Sequence, residues 1–304
     1  MGISGTPSVV YLPDTGRPYP ALLDFLAGRF PKIPVETWVS RILAGKVLTE
    51  DGQPVTPETA YLPDRRLFYY REVAEEPAIP FAEQILFQND HLLVADKPHF
   101  LPVTATGPYV RETLLERLKA ATCNPHLSPI NRIDRETAGV VLLSVCKESR
   151  GAYQRLFMEE GLMRKTYEAI VEFDPACGWS EWLVENRLEQ GEPWFRMKTT
   201  AGPVNARTRL RLIETNGQQA RFELFPLTGK KHQLRLHLAG LGFPIVGDRV
   251  YPELKPKSAD DFARPLQLLS RRIEFRDPLS GAEVVFESPR RLALTSQWGT
   301  KACL

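Results

Sequence analysis

The sequence lacks any long hydrophobic run. No stretch among its 304 residues approaches the ~20 consecutive apolar residues that a membrane-spanning helix needs. Residues 1–20 show no basic start followed by an apolar core, so no secretory signal is expected. Cysteines are few and share no metal-ligand spacing, and we expect them to be reduced thiols in a cytoplasmic protein. They are Cys123, Cys146, Cys177 and Cys303.

An excess of charge of either sign is also missing. The 39 Lys and Arg residues barely exceed the 37 Asp and Glu residues, whereas proteins that coat nucleic acid are usually strongly basic. Any RNA or phosphate site must therefore be a local patch. The GxxxxGK[ST], GxGxxG and HExxH motifs are absent, so we expect no cofactor and no metal. Cys123 and His126 lack a second pair of ligands, which favours a loop over a metal site.

The length of the chain predicts about two domains. Residues 1–80 hold eleven of the 26 prolines and have eight basic and ten acidic residues, while the remainder carries a net charge of +4. The segment 75–80, EEPAIP, is typical of a linker because acidic pairs and prolines disfavour regular structure. The sequence therefore predicts a small domain with its linker over residues 1–80 and a larger domain over 81–304.

The first domain is predicted to contain two short helices and a small sheet. Apolar spacing indicates helices at 21–30 and 35–44, the second ended by Gly45. Asp51-Gly52 predicts a hairpin between 46–48 and 53–55, and a strand follows at 67–71. This order resembles the S4-type RNA-binding module over about sixty residues. Its acidity leaves two interpretations open, namely an S4-like module with weakened RNA affinity or a purely structural cap.

The second domain is predicted to be α+β. Strands are expected at 83–87, 91–95, 139–145, 166–172, 206–212, 220–224, 266–275 and 282–286. Helices are expected at 110–121, 150–160 and 231–241. Several strands follow one another directly, which favours a mixed, largely antiparallel central sheet with flanking helices over a doubly wound parallel sheet.

The densest polar cluster precedes the strand predicted at 139–145. Asp134 lies between Arg132 and Arg135 in the segment NRIDRET, so nearby guanidinium groups favour its ionised form. A positioned, ionised aspartate can act as a nucleophile, a base or an electrostatic partner. Taken alone, the segment favours a surface loop held by salt bridges over a catalytic site.

Two further segments carry candidate functional groups. TGKKHQLRLH at 228–237 combines a possible tight turn at Gly229 with a basic helix start, where backbone N–H groups can bind phosphate. His232 and Arg235 are three residues apart and are expected to share a helical face. Tyr167, in the strand segment KTYEAIV at 165–171, could pack against a ligand ring. The alternatives are a solvated helix end and a core tyrosine.

Taken in order, these segments resemble the RluA-type family of pseudouridine synthases. The family motif HRLDxxTSG corresponds to NRIDRETAG at 131–139, and a Lys-x-Tyr strand follows at 165–167. GRxHQIRxH corresponds to GKKHQLRLH at 229–237. GDRVY at 247–251 is similar to the family's Gly-Asp-x-x-Tyr turn, and VADKP at 94–98 to its lysine-proline entry strand. The resemblance spans about residues 83–290.

The resemblance implies a cofactor-free isomerisation of uridine in RNA to pseudouridine. By motif position, Asp134 is expected to be the catalytic aspartate, as a nucleophile toward the sugar or as a base. Arg235 is expected to orient that carboxylate, Tyr167 to stack on the flipped uracil, and Arg132 to stabilise the gap left in the RNA. Substrate binding is also expected of Lys230, Lys231, His232 and Arg207, with Arg209 and Arg211 as further phosphate contacts.

The sequence departs from the family pattern at three positions. Asn131 replaces a histidine, Ala138 a serine, and Lys230 an arginine, which removes a bidentate fork. We expect an active enzyme with an altered substrate preference. It is expected to act on ribosomal or transfer RNA as a cytoplasmic monomer without membrane contact. Two alternatives remain: a non-catalytic RNA-binding or ribosome-assembly protein that retains the fold, and a glycosidic-bond hydrolase with Glu136 as a second carboxylate.

Overall fold

The structure is a computed structural model. The structure describes all residues except 1, 4, 6, 17, 18, 32, 174–179, 257, 293 and 295–304. Cys177 and Cys303 lie outside the described residues, whereas Cys123 and Cys146 are free thiols. The chain divides into two compact units. The first comprises the chain up to Pro77 together with Ala105–Glu112, and the second comprises Ala78–Thr104 and the chain from Thr113 onward.

The first unit consists of two helices and short strands around an aromatic core. Its elements are β1 (Gly2–Ile3), β2 (Ser8–Leu12), α1 (Leu22–Arg29), α2 (Val35–Leu43), β3 (Val47–Thr49), β4 (Arg65–Tyr69) and β5 (Glu72–Val73). β2, β4 and β3 form an antiparallel three-stranded sheet. The core includes the fully buried Trp38 of α2, whose ring meets Tyr69 at 5.2 Å edge-on. The predicted helices and the turn at Asp51-Gly52 are present, and the S4-like identity of the unit stays a prediction.

The second unit is built on one large sheet. Its strands are β6 (Gln84–Gln88), β7 (Leu92–Lys97), β8 (Ser128–Pro129), β9 (Ala138–Ser144), β10 (Met163–Glu172), β11 (Glu181–Gln190), β12 (Met197–Thr200), β13 (Ala206–Thr215), β14 (Gln219–Pro226), β15 (Leu268–Arg276) and β16 (Glu283–Glu287). Its helices are α3 (Leu114–Thr122), α4 (Lys147–Met158) and α5 (Gln233–Gly240).

The sheet is antiparallel except where β9 meets β15. Its strand order is β12-β11-β13-β14-β10-β15-β9-β7-β6, with β16 added beside β15 and β8 beside β9. The pair β9 and β15 is parallel and short. The predicted α+β class with a mixed, largely antiparallel sheet is therefore confirmed. The apolar strands β7 and β9 are buried along their whole length, so the chain that precedes β9 starts from a rigid element.

Gly139 explains how β9 approaches β15 so closely. Its φ of +111° is a backbone conformation that residues with a side chain rarely adopt, and a Cβ there would lie 2.2 Å from the carbonyl oxygen of Ser270. The glycine that ends the NRIDRETAG segment is therefore required for the strand crossing. It fixes the point at which the polar loop enters the sheet.

Two predicted helices begin later than the sequence indicated. The helix predicted at 110–121 begins at Leu114, where the Thr113 side chain accepts a hydrogen bond from the Glu116 amide as an N-cap. The helix predicted at 231–241 begins at Gln233 because His232 has a φ of +55°, which no α-helix residue adopts. The sequence analysis also missed β11 and β12 entirely.

Candidate active site

A polar pocket lies in the second unit where the loop before β9, strand β10 and the segment before α5 meet. It brings together Asp134, Tyr167 and Arg235, the three residues predicted to be catalytic, although they are far apart in sequence. Arg132, Lys230, Lys231 and His232 also line it. Of the described residues that line this pocket, Asp134 is the only carboxylate.

Asp134 lies in a loop that is fixed at both ends. The Thr137 amide donates to the Asp134 carbonyl at 3.1 Å, which closes a tight turn, and Thr137 itself is buried just before β9. The Asn131 side chain accepts a hydrogen bond from the Leu142 amide at 2.8 Å. Asn131 therefore anchors the loop to β9 rather than facing the pocket, where the family pattern has a histidine. The turn holds the Asp134 carboxylate at the pocket wall.

A buried lysine supports this loop from within the unit. Lys97, at the end of β7, is fully buried and donates to the carbonyls of Pro98, Leu101 and Arg135 at 2.7–3.1 Å. Burial lowers the pKa of Lys97 to about 7, and the charges of Glu136 and Asp134 oppose that shift. The three carbonyl acceptors match the three hydrogens of the charged ammonium. Lys97 thus fixes the main chain beside Asp134.

Arg235 is held between two carboxylates. Its Nε and Nη2 donate to the two carboxylate oxygens of Asp248 at 2.7 Å each, a bidentate fork, while its Nη1 donates to Asp134 Oδ2 at 3.2 Å. The Arg235 side chain is 3% exposed. Burial works against the charged guanidinium, yet the hydrogen bonds and charge of Asp248 hold the pKa of Arg235 above its usual value. Asp248 therefore fixes the arginine that in turn positions Asp134.

His232 approaches the same carboxylate from another side. Its Nε2 lies 3.8 Å from Asp134 Oδ2, and its Nδ1 lies 2.9 Å from the Tyr251 hydroxyl. The Met197 amide donates to the same hydroxyl at 2.7 Å, so Tyr251 links the imidazole to the start of β12. Burial lowers the pKa of His232, which favours the neutral ring, while the charge of Asp134 acts in the opposite direction.

Tyr167 lies on β10, half-buried in the pocket. Burial raises the pKa of its phenol, and the nearby Asp134 charge acts in the same direction, so the hydroxyl stays protonated. Lys165, two residues earlier, lines the same pocket, and burial lowers its pKa. Residues two apart on a strand share a face, which explains why both reach the pocket. The wall of the pocket thus offers an aromatic ring next to a cation.

The pocket rim is exposed and basic, but Arg207 does not belong to it. Arg132, Lys230 and Lys231 are exposed and have no ion pair within the described part of the chain. Arg207 instead forms an ion pair with Glu185 at 2.9 Å. Its neighbour on β13, the buried Thr208, accepts from the Gln233 amide group at 2.9 Å. Since side chains alternate along a strand, Arg207, Arg209 and Arg211 project from the face of β13 opposite α5.

Sequence reasoning missed two residues of this site. Asp248 and Tyr251 were noted only as parts of the GDRVY segment, with no partner assigned. Asp248 Oδ1 also accepts from the amides of Val250 and Tyr251, which shapes the turn. The preceding Gly247 has a φ of +80°, and a Cβ there would lie 2.5 Å from the Pro265 carbonyl oxygen. The Gly247-Asp248 pair in the sequence could therefore have indicated a tight turn at this position. It could not have shown that Asp248 binds Arg235.

Comparisons with known proteins agree with this architecture. Residues 91–240 match the family model for RNA pseudouridylate synthase. An uncharacterised RNA pseudouridine synthase of Synechocystis is 29% identical over 234 residues, which cover 76% of this chain and 79% of that protein. The dual-specificity RNA pseudouridine synthase RluA of Vibrio vulnificus is 29% identical over 218 residues, which cover 67% of this chain and 81% of that protein. The solved structure of human RNA pseudouridylate synthase domain containing 4 superposes with a TM-score of 0.53 at 27% identity, covering 68% of this chain and 88% of that one.

The largely antiparallel sheet and the matched segment at 91–240 are those of an RNA pseudouridine synthase. More narrowly, the chain is similar to RluA-type enzymes such as the RluA of Vibrio vulnificus. Within the described part of the chain, no helix combines the length and the apolar composition that a membrane crossing requires.

Proposed function

We propose that this enzyme isomerises uridine in RNA to pseudouridine with Asp134 as the catalytic carboxylate. One observation carries the assignment: Asp134 is the only carboxylate among the described lining residues, and its Oδ2 is 3.2 Å from a buried arginine that Asp248 fixes. The bidentate fork to Asp248 fixes the guanidinium of Arg235, whose remaining Nη1 donates to Asp134. Asp134 is therefore presented to the pocket as an oriented anion.

The reaction needs no group beyond the chain's own side chains. The bond from uracil N1 to the ribose breaks, and a bond from uracil C5 to the same ribose carbon forms. The C5 hydrogen is released to solvent as a proton, and N1 gains a proton, so the atoms balance. The Asp134 carboxylate either attacks the sugar or removes a proton from it, and both routes require an ionised aspartate held beside the ribose.

The other pocket residues bind the extruded nucleotide. A base inside a helix is unreachable, so the target must flip out of the stack at a cost of a few kcal/mol. Stacking of uracil on Tyr167 recovers about 1–3 kcal/mol of that cost. The exposed Arg132, Lys230 and Lys231 line the pocket, which supports a role for Arg132 in filling the gap in the RNA and for the two lysines in binding phosphates.

The substrate is RNA, and we propose that both ribosomal and transfer RNA are accessible to it. The relative from Vibrio vulnificus is named a dual-specificity enzyme, which supports more than one substrate class. Cytoplasmic location remains a proposal, supported by the free thiols of Cys123 and Cys146. The S4-like role of the first unit and the monomeric state stay predictions.

The decisive experiment compares Asp134→Asn with Glu136→Gln. RNA carrying tritium at uracil C5, transcribed as transfer RNA and as ribosomal RNA, would be incubated with each variant, and tritium release would be measured. Asp134→Asn should lower the rate by at least about 1,000-fold, since it removes the reacting carboxylate. Glu136→Gln should stay within a few-fold of wild type because Glu136 does not line the pocket and pairs with Arg135 at 2.9 Å.

Two results would overturn the assignment. Equal tritium release by wild type and Asp134→Asn would remove Asp134 from catalysis. RNA binding without pseudouridine on any RNA, in both proteins, would favour the non-catalytic RNA-binding alternative. Release of free uracil would favour a hydrolase, but the described pocket lacks the second carboxylate which that reaction usually needs.

A further inference from the structure

The hairpin formed by β11 and β12 exposes a tryptophan that no part of the proposed reaction uses. Trp194 lies in the six-residue loop between the two strands, and 69% of its surface is exposed. A large aromatic side chain is rarely left in water without a partner, because burying it would be favourable. Its neighbour Phe195 meets it at nearly a right angle, with ring centroids 6.0 Å apart, so these two rings do not stack on each other.

The loop that carries Trp194 is tied to the wall of the active site. Arg196 donates to the Pro252 carbonyl at 2.9 Å, and its guanidinium lies over the Tyr251 ring at 5.3 Å. The Met197 amide donates to the Tyr251 hydroxyl, which also contacts His232. The Gly191 amide closes the loop by donating to the Arg196 carbonyl at 2.9 Å. The tip of the hairpin is thus held in place rather than free to swing.

Lys231 connects the tryptophan to the pocket. Its Nζ lies 5.6 Å from the centroid of the Trp194 ring, a cation–π distance, and the same lysine lines the pocket that contains Asp134. The indole therefore stands at the pocket rim beside an exposed cation. A flat aromatic face next to a phosphate-binding cation is the arrangement by which proteins hold single-stranded nucleic acid.

We propose that Trp194 is a stacking platform for a nucleobase that flanks the target uridine, with Lys231 binding the adjoining phosphate. The inference rests on RNA as the substrate of the proposed function but not on the role of Asp134. A flipped target leaves its neighbours partly unstacked, and a rigid indole next to the pocket offers one of them a replacement partner. Stacking is tolerant of sequence, so this contact adds affinity without selecting a particular base.

The test measures binding of single-stranded RNA rather than activity. Wild type, Trp194→Ala, Trp194→Phe and the control Leu183→Ala would be titrated with fluorescein-labelled 12-mers of oligoadenylate and oligouridylate, and with a 12-mer abasic backbone. Leu183 is an exposed apolar residue of the same hairpin, 59% exposed on β11 and away from the loop. Repeating the titrations in an Asp134→Asn background separates this contact from catalysis, since the inference predicts the same pattern in both backgrounds.

Trp194→Ala should raise the Kd for oligoadenylate by about 5-fold to 100-fold, which is the range that loss of one stacked base gives. Trp194→Phe should restore part of the affinity, and Leu183→Ala should have no effect. Binding of the abasic backbone should be unchanged by Trp194→Ala, because only bases can stack. Equal losses for the base-containing and abasic oligomers would show a general loop effect and overturn the proposal. An unchanged Kd for all oligomers, which a protein-docking role for Trp194 would give, would overturn it as well.

Discussion

The interior of the active site and its rim use charged groups in opposite ways. In the interior, Arg235 and Asp248 are at most 4% exposed and satisfy each other through a bidentate fork. At the rim, Lys230 and Lys231 are exposed and have no ion pair within the described residues. Breaking a buried ion pair costs much stability, and the pair fixes one geometry. An exposed cation contributes little to stability and remains available to bind an anion. We therefore expect the interior to set the rate and the rim to set the affinity for RNA.

The largest effect is expected from breaking the interior pair. Asp248→Asn removes the charge that holds Arg235, so the Nη1 donor to Asp134 loses its orientation. A misplacement of about 1 Å can lower a rate by about 100-fold, and we expect a decrease in kcat of that size with little change in KM. The free energy of unfolding should fall by up to about 3–5 kcal/mol, because the buried Arg235 charge keeps only its single contact with Asp134. Tritium release and urea denaturation would measure the two effects.

Asp277→Asn provides the matched control for Asp248→Asn. Asp277 is also a buried carboxylate, and it accepts from the Tyr153 hydroxyl at 2.7 Å, but it does not line the pocket. This variant should lose stability while kcat stays near wild type. If both variants lowered kcat equally, the effect of Asp248 would be a general consequence of instability, and its positioning role would be wrong.

A second prediction concerns a buried histidine, His237, and how the free energy of unfolding depends on pH. Burial lowers the pKa of His237 to about 4, and the neutral ring contacts Thr208 at 2.9 Å and Asn186 at 3.0 Å. The unfolded chain binds the proton near pH 6.5, so between pH 6.5 and 4 the unfolded state holds more protons than the folded state. Stability should therefore fall as the pH falls through this window.

The slope that His237 contributes is at most about 1.4 kcal/mol per pH unit. His237→Asn should make the measured slope shallower between pH 6.5 and 4, even though the variant is less stable at neutral pH. His126→Asn, at an exposed position, should leave the slope unchanged. Urea unfolding at several pH values would measure it, and identical slopes for wild type and His237→Asn would contradict the prediction.

The sequence predicted the interior better than the rim. The motif resemblance located Asp134 and Arg235, which are 101 residues apart, because the ordered segments carry the glycines and aspartates that the turns require. The fold class followed from long apolar strands such as β9, whose residues are all buried. No pattern in the chain indicates that Asp248 pairs with Arg235, since this contact depends on where two loops meet in space.

The rim depends on β11 and β12, which the sequence analysis did not detect. β11, with the sequence EWLVENRLEQ, is polar and mostly half-buried or exposed, so it lacks the apolar signature of a central strand. Only a few of its residues pack on the core: Leu188 is buried, and the Trp182 ring lies 5.4 Å from Phe222 and 5.5 Å from Phe243. Missing this hairpin also meant missing Trp194. The orientation of Arg207 was not predictable either, because only the strand register shows which face it occupies.

A smaller effect is expected at the rim. Lys231→Ala should raise KM for RNA by a few-fold and leave kcat unchanged, because the lysine binds phosphate in the ground state and the transition state alike. The slope of log K against log salt should fall by about 1 when one phosphate contact is lost. Lys147→Ala, an exposed lysine at the start of α4, is the control and should change neither quantity. A decrease in kcat with unchanged KM would place Lys231 in the interior group instead.

The smallest effect is expected from Arg207→Ala. The sequence predicts Arg207 as a substrate-binding residue, but the structure places it on the outer face of β13 with its charge paired to Glu185 at 2.9 Å. An exposed ion pair contributes about 0–1 kcal/mol to stability, so neither the fold nor the pocket should change. KM, kcat and the salt slope should stay within about twofold of wild type when measured beside Lys231→Ala. A rise in KM as large as that of Lys231→Ala would show that RNA extends over this face of the sheet. The distinction between a basic rim that binds RNA and an outer face whose charges are paired would then be wrong.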